Sequence, residues 1–310
     1  MRLCEHFCSI YTMKNITLYL LFLISCTPSH KSSHLKTPSF DAQGHRGCRA
    51  LMPENTIPAF MHAMDLGVTT LEMDAVITAD QKVILSHEPF FNHDITTQPD
   101  GRFVNATEEK QLNIYKMDYA TTQRYDVGMK PHPRFPEQQK FKASKPLLSE
   151  TFDAIEAYTN LKKYKPVFYN IETKTQPETD GIYHPDPETF VRLLVGVIDQ
   201  HQLRHRVIIQ SFDFRTLKIL HQLYPDIQTA ALVELHDKGN FDTHLEALGF
   251  MPTIYSPEYH LVDATLVAAC HHKKVRIIPW TVNDKASISR LKNLGVDGII
   301  SDDPRLFSEK

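Results

Sequence analysis

The sequence predicts an α/β chain folded as a (β/α)8 TIM barrel, with a hairpin after strand 2 and an insertion at the C-terminal mouth. Three observations predict it. Eight short apolar segments alternate with helical patterns, an order that argues for βαβ units and a parallel sheet. No GxGxxG or GxxxxGK phosphate loop supports the rival, an open doubly wound sheet. The 310 residues are 42% hydrophobic and 23% charged, a globular composition with chain enough for a large core. That composition excludes a disordered polymer and a multi-span membrane protein. A formal net charge of −3 gives no basic field to attract nucleic acid.

The elements follow in chain order. The apolar run from Ile16 to Ile24 comes after Lys14 and is far too short to span a bilayer. It fits the apolar region of a secretory signal peptide over residues 1–25, with Met13 as the expected true start. The run ends Leu23-Ile24-Ser25-Cys26, which resembles a bacterial lipobox with Cys26 as the lipidated residue. Several acyl chains there would anchor stably, since each buried CH₂ contributes about 0.8 kcal/mol. A plain signal peptide with a chance cysteine is the alternative. Residues 26–39 then read as a lipidated cysteine and polar linker, and residues 40–310 as the barrel. The expected location is the bacterial envelope, with membrane contact through the anchor only. Cys48 and Cys270 make no disulfide framework, and no Cys/His metal spacing occurs.

Strands are expected at 41–45, 69–77, 167–172, 207–211, 227–233, 253–256, 275–282 and 298–301. Helices are expected at 57–66, 148–158, 188–202, 215–223, 241–248, 263–272 and 284–294, the last capped by Asn283 or Asp284. A ninth strand-like segment, 83–86, follows strand 2 too closely for a parallel crossover, so it forms an antiparallel hairpin. Mirror pairing about Asp80-Gln81 sets Asp74 opposite His87. From about 90 to 145 the rhythm fails amid Pro99, Pro131, Pro133 and Pro136. That stretch reads as an insertion at the barrel mouth, either shaping the entrance or a plain surface excursion.

Three strand ends carry the chemistry. The first ends Gly44-His45-Arg46-Gly47. The second holds Glu72 and Asp74, whose spacing puts both carboxylates on one face of a strand. The third holds Asn170, Glu172 and Lys174 on one face. Polar residues at the C-terminal ends of barrel strands read as catalytic. Either acid alone reads as a salt-bridged strand end with Arg46 as partner. Three converging acids would repel, and a hard divalent cation, Ca²⁺ or Mg²⁺, relieves that through oxygen ligands. His45 and His87 are the expected proton-transfer pair, because imidazole changes charge near neutral pH. Arg46 offers a fork for phosphate oxygens and Lys174 a point charge.

These residues also occur in a recognisable series. His45-Arg46-Gly47, Pro53-Glu54-Asn55-Thr56, Glu72-Met73-Asp74 and His87 after a short hairpin together resemble the glycerophosphodiester phosphodiesterase family. Glu172-Thr173-Lys174, Gln210-Ser211-Phe212, Trp280-Thr281-Val282-Asn283 and the run from Gly295 to Asp302 are similar to its downstream pattern. The resemblance spans residues 41–304 and departs at Glu88, where aspartate is common, and at Gln81, where glycine is usual. It implies a metal-dependent barrel that hydrolyses small glycerophosphodiesters to glycerol 3-phosphate and an alcohol. It implies His45 and His87 as acid and base, and Glu72, Asp74 and Glu172 as ligands of one divalent ion. Arg46 is implied as a phosphate contact, with Glu54, Lys174 and Trp280 as further substrate-site positions. Two alternatives remain open: a phospholipase C-like or sphingomyelinase D-like enzyme acting on intact lipid, and a surface binding protein without turnover.

Overall fold

The computed structural model describes residues 37–308, so the expected signal peptide and the expected lipidation at Cys26 lie outside the described residues. The chain opens with β1 (Asp41–Gly44), α1 (Ile57–Asp65), β2 (Thr70–Ile77) and β3 (Val83–Leu85). It continues through α2 (Tyr119–Thr122), α3 (Leu148–Lys162), β4 (Phe168–Thr173), α4 (Pro187–Gln200), β5 (Val207–Ser211) and α5 (Phe214–Leu223). It closes with β6 (Gln228–Val233), α6 (Phe241–Leu248), β7 (Ile254–Pro257), α7 (Ala264–His272), β8 (Arg276–Ile277), α8 (Lys285–Leu294) and β9 (Gly298–Ser301). Helix starts follow local chemistry. Thr56, Asp186 and Asp284 each sit outside helical geometry and accept a hydrogen bond from a first-turn amide of α1, α4 and α8. Asp284, not Asn283, is the cap of α8, because Asn283 is turned toward Asp302.

Eight strands run parallel in the order β8-β7-β6-β5-β4-β2-β1-β9, with β3 antiparallel on β2. The ring is nearly closed, as expected for a (β/α)8 barrel. Between β8 and β9 closure rests on the bonds Asp297 N to Ile277 O (2.9 Å) and Ile300 N to Pro279 O (3.0 Å) rather than on a ladder. The expected strand 275–282 is therefore cut to two residues. Pro279 has no N–H to donate to a ladder.

Alternation along each strand sorts side chains into two layers. Leu71, Met73, Tyr169, Ile171 and Ile209 face the helices in the main core. Each such large side chain contributes about 1.5–3 kcal/mol on burial. Inside the barrel, Ile208, Ala230, Ile254, Ile278 and Ile300 form a second apolar cluster. On the other side of the interior, β1, β2 and β4 bury Gln43, Glu72, Asp74, Asn170 and Glu172 instead. The polarity of the barrel interior is thus split by strand, and this split locates the site.

The hairpin register differs by one residue from the mirror expectation. Ala75 pairs with Leu85 and Ile77 with Val83, so Ser86, not His87, lies opposite Asp74, with Ser86 N donating to Asp74 O at 2.9 Å. The cause is a three-residue turn. Thr78 N donates to Lys82 O, Gln81 N to Thr78 O, and Gln81 takes φ +59. His87 is reached where the strand has already ended. Beyond it, the stretch up to Leu147 adds no ladder strand among the described residues. It packs Phe91, Ile95, Ile114 and Val127 with Val76 and Ile84 of the hairpin into a cluster of its own.

Candidate active site

Local backbone at the end of β1 aims the first group. Arg46 (φ +50) and Gly47 (φ +85) turn the chain back under α1. A side chain on Gly47 would meet Ala59 C at 2.8 Å, so this turn requires glycine. The turn points the Arg46 amide at Glu72 Oε2 (2.7 Å), and His45 N donates to Ser301 O (2.9 Å). The loop then returns at Asn55, whose Nδ2 donates to Asp74 Oδ2 (2.8 Å) while its Oδ1 accepts from Asp74 N (3.2 Å).

The parallel register of β2 and β4 sets Asp74 beside Glu172. Ligand-capable oxygens of Glu72, Asp74 and Glu172 lie within 4.8 Å of one another, and all three residues are buried. Glu72 Oε1 accepts from Gln210 Nε2 (2.8 Å), and Glu172 Oε1 from Lys174 Nζ (2.7 Å). Asp74 Oδ1 has no hydrogen-bond partner among the described residues; Lys174 Nζ stands 3.8 Å away. A buried carboxylate oxygen left without a donor is costly. Burial and the Asp74 charge push Glu72 well above the ordinary carboxylate range. Burial and Asp74, against Lys174, push Glu172 up to about 7. Asp74 itself is held down despite burial, by Arg46 and Lys174. These oxygens fit a hard divalent cation, which would relieve the repulsion and occupy the orphaned Oδ1.

His45 stands next to the acids with both ring nitrogens assigned by neighbours. Nδ1 is 2.5 Å from Asp302 Oδ1, and Nε2 is 3.9 Å from Glu72 Oε2. Asp302 is itself held by Asn283, which gives Nδ2 to Oδ2 (2.7 Å) and takes the Asp302 amide on Oδ1 (2.9 Å). His87 Nδ1 is 2.7 Å from Glu88 Oε1, so Glu88 supplies the orienting carboxylate here. Burial, with Arg46, lowers the pKa of His45 although Asp302 pulls the other way. Burial, with Arg46 and Lys174, lowers that of His87 well below the usual value. Both shifts disfavour the imidazolium, and anionic charge beside the rings opposes them.

His45, Arg46, Glu72, His87, Glu172 and Trp280 line one cavity of about 310 Å³. Asp74 and Lys174 meet the same cluster through Glu172. Trp280 Nε1 donates to Ser256 O (2.8 Å), and its ring meets Phe212 edge-on at 5.4 Å, making an apolar wall. Glu54 lies behind the wall rather than on it. It takes Arg46 Nη1 at 2.9 Å and Arg49 Nε at 3.2 Å, which hold its pKa at about 2 despite burial. Sequence reasoning assigned no role to Asp302, Gln210, Asn55 or Arg49, and offered Asn283 only as a helix cap. Asp302 carries a signal that could have found it, since it follows the last barrel strand directly.

A family model described as the glycerophosphoryl diester phosphodiesterase family matches residues 45–306. A glycerophosphodiester phosphodiesterase of Caldanaerobacter subterraneus subsp. tengcongensis is 29% identical over 262 residues, 84% of this chain and 93% of that protein. One of Bacillus subtilis is 27% identical over 299 residues, 93% of this chain and 92% of that protein. Among solved structures, one from Silicibacter pomeroyi superposes with TM-score 0.77 at 27% identity, covering 87% of this chain and 92% of its own. An Oleispira antarctica phosphodiesterase in complex with the product sn-glycerol-3-phosphate shares the fold at TM-score 0.65 and 21% identity, covering 86% of this chain and 94% of its own.

Proposed function

The chain belongs to the glycerophosphoryl diester phosphodiesterase family, and from that premise we propose that it hydrolyses glycerophosphodiesters to glycerol 3-phosphate and an alcohol by metal-dependent, histidine acid–base catalysis. One observation carries the reading: three buried carboxylates converge within 4.8 Å beside a cavity that two histidines share. Glu72, Asp74 and Glu172 would hold one Ca²⁺ or Mg²⁺, which when bound supplies positive charge to the non-bridging oxygens of the phosphodiester.

The chain's own groups do the rest. Arg46 and Lys174 add positive charge beside the acids and bias the cavity toward an anion. His45 and His87 each engage a carboxylate through Nδ1, which leaves Nε2 for substrate. One takes a proton from the nucleophile, water or the glycerol 2-hydroxyl. The other gives a proton to the departing alkoxide. Each transfer typically contributes about 10²–10⁴-fold. Trp280 and Phe212 would pack the apolar parts of the substrate. Export and anchoring at Cys26 belong to the same proposal and rest on the sequence, and mass spectrometry of the N-terminal peptide for an acylated Cys26 tests them.

The functional test follows release of glycerol 3-phosphate from glycerophosphocholine and glycerophosphoethanolamine. Chelation with EDTA should abolish it, and Ca²⁺ or Mg²⁺ should restore it. His45→Ala and His87→Ala should each lose about 10²–10⁴-fold in kcat/KM with unchanged circular dichroism. Full activity after chelation would refute the metal assignment.

A further inference from the structure

The insertion contributes a charged side chain to the cavity wall. Its segment 132–139 is pinned onto the loop after β1: Gln138 Nε2 donates to Arg49 O at 2.6 Å, and Gln139 N to Leu51 O at 2.8 Å. This brings Phe135 against two guanidinium groups, with Arg49 and Arg134 each 5.2 Å from its ring centroid. Both arginines line the same cavity as His45 and Asp302. Arg49 is only 8% exposed, and its Nε stands 3.2 Å from Glu54 Oε2 and 3.7 Å from Asp302 Oδ1. Arg134 is 61% exposed on its side chain, and among the described residues it reaches no carboxylate closer than Asp302 Oδ2, at 4.0 Å.

The charges on this wall are unevenly shared. Arg46 is paired with both Glu54 and Asp74, at 2.9 and 3.2 Å, whereas among the described residues Arg49 and Arg134 share only Glu54 and Asp302, at 3.2 to 4.0 Å. Asp302 is further committed to His45 and Asn283. The His45 ring also separates this wall from the acid cluster. One ring nitrogen points to Asp302 and the other to Glu72. A phosphate reacting at the acids sits on the Nε2 side, whereas the two arginines sit on the Nδ1 side.

We propose that Arg49 and Arg134 form a second anion subsite, which takes a phosphomonoester carried on the alcohol half of the diester. The glycerol half offers only hydroxyls, so the added charge must come from the alcohol. The inference rests on the diesterase reading and names a substrate class within it: glycerophosphodiesters whose leaving alcohol is itself phosphorylated.

The test compares two diesters that differ by one group. One is the glycerol phosphodiester of ethylene glycol, and the other is the same diester phosphorylated on the far glycol hydroxyl. The full chain should show kcat/KM about tenfold higher for the phosphorylated diester. Arg134→Gln and Arg49→Gln should each bring that ratio toward one. A ratio of one or less in the unaltered protein would overturn the subsite. So would a high ratio that survives both substitutions, or an equal loss on both diesters, which would place the arginines on the scissile phosphate. Arg49 is buried and its replacement strains the fold, but Arg134 is on the surface and decides the matter alone. Calorimetric binding of both diesters to the His45→Ala protein reads the same ratio without turnover. Absence of hydrolysis would then sink the diesterase reading, while the ratio of Kd values still decides the subsite.

Discussion

Asp302 fixes which nitrogen of His45 faces the cavity. Its carboxylate takes Nδ1 at 2.5 Å and leaves Nε2 toward Glu72. An amide in its place can donate to Nδ1 and hold the wrong tautomer. We expect Asp302→Asn to lower kcat/KM by about 10²–10⁴-fold. The lost anion also removes a contribution that raises the His45 pKa, so the acid limb of the pH–rate profile should move to lower pH. An unchanged profile would deny the positioning role. Glu54 gives a stability signal instead of a kinetic one. Arg46 and Arg49 hold its pKa at about 2 against burial, below an ordinary value of 4.5. Its stabilisation is therefore complete above pH 4.5 and is lost as pH falls toward 2. Glu54→Gln should cost on the order of 3 kcal/mol near neutrality, and thermal melts should show the gap to the unaltered protein closing with acid. Legibility at this scale depended on parity and position. Glu72, Asp74, Glu172 and Lys174 could be read because strand alternation alone places them on one face. Asn55 and Arg49 could not, because their partners are set by a loop path after β1 that no periodicity encodes.

The hairpin of β2 and β3 shows what a turn decides. Its existence followed from a gap too short for a crossover. Its register depended on whether Asp80-Gln81 made a two-residue turn or part of a three-residue one. Gln81 takes φ +59, and the whole ladder moves by one residue. A non-glycine side chain at positive φ costs about 1 kcal/mol, so Gln81→Gly should raise the melting temperature slightly. Gly47→Ala should do the opposite and strongly, since φ is +85 and the new methyl would meet Ala59 C at 2.8 Å. Its loop carries both His45 and the amide that holds Glu72, so that variant should lose activity along with stability. Calorimetric melts of both variants check the opposite signs. In β8 the sequence pattern ran on through Pro279, but the strand keeps only Arg276 and Ile277, and beyond them the pairing with β7 continues as single bonds such as Trp280 N to Pro257 O at 3.1 Å.

Across the molecule, the barrel divides its interior between an apolar cluster from β5 to β9 and buried acids on β2 and β4. The fold class was legible because alternating strands and helices admit few architectures. The split interior was legible only where carboxylates broke the apolar runs. Burying three acids together destabilises the apo chain, and a cation that binds only the folded state reverses this. At about one hundred times its Kd, such an ion adds about 2.7 kcal/mol. Thermal melts should thus rise by several degrees with Ca²⁺ or Mg²⁺. Asp74→Asn should abolish the rise. The central claim, cation and imidazoles acting on one phosphate, is tested most directly by a crystal structure grown with a divalent metal and glycerol 3-phosphate. The account predicts one ion bound by Glu72, Asp74 and Glu172, with a phosphate oxygen on it and the Nε2 atoms of His45 and His87 within hydrogen-bond reach of that phosphate. An ion held elsewhere, or a phosphate remote from either histidine, would contradict it.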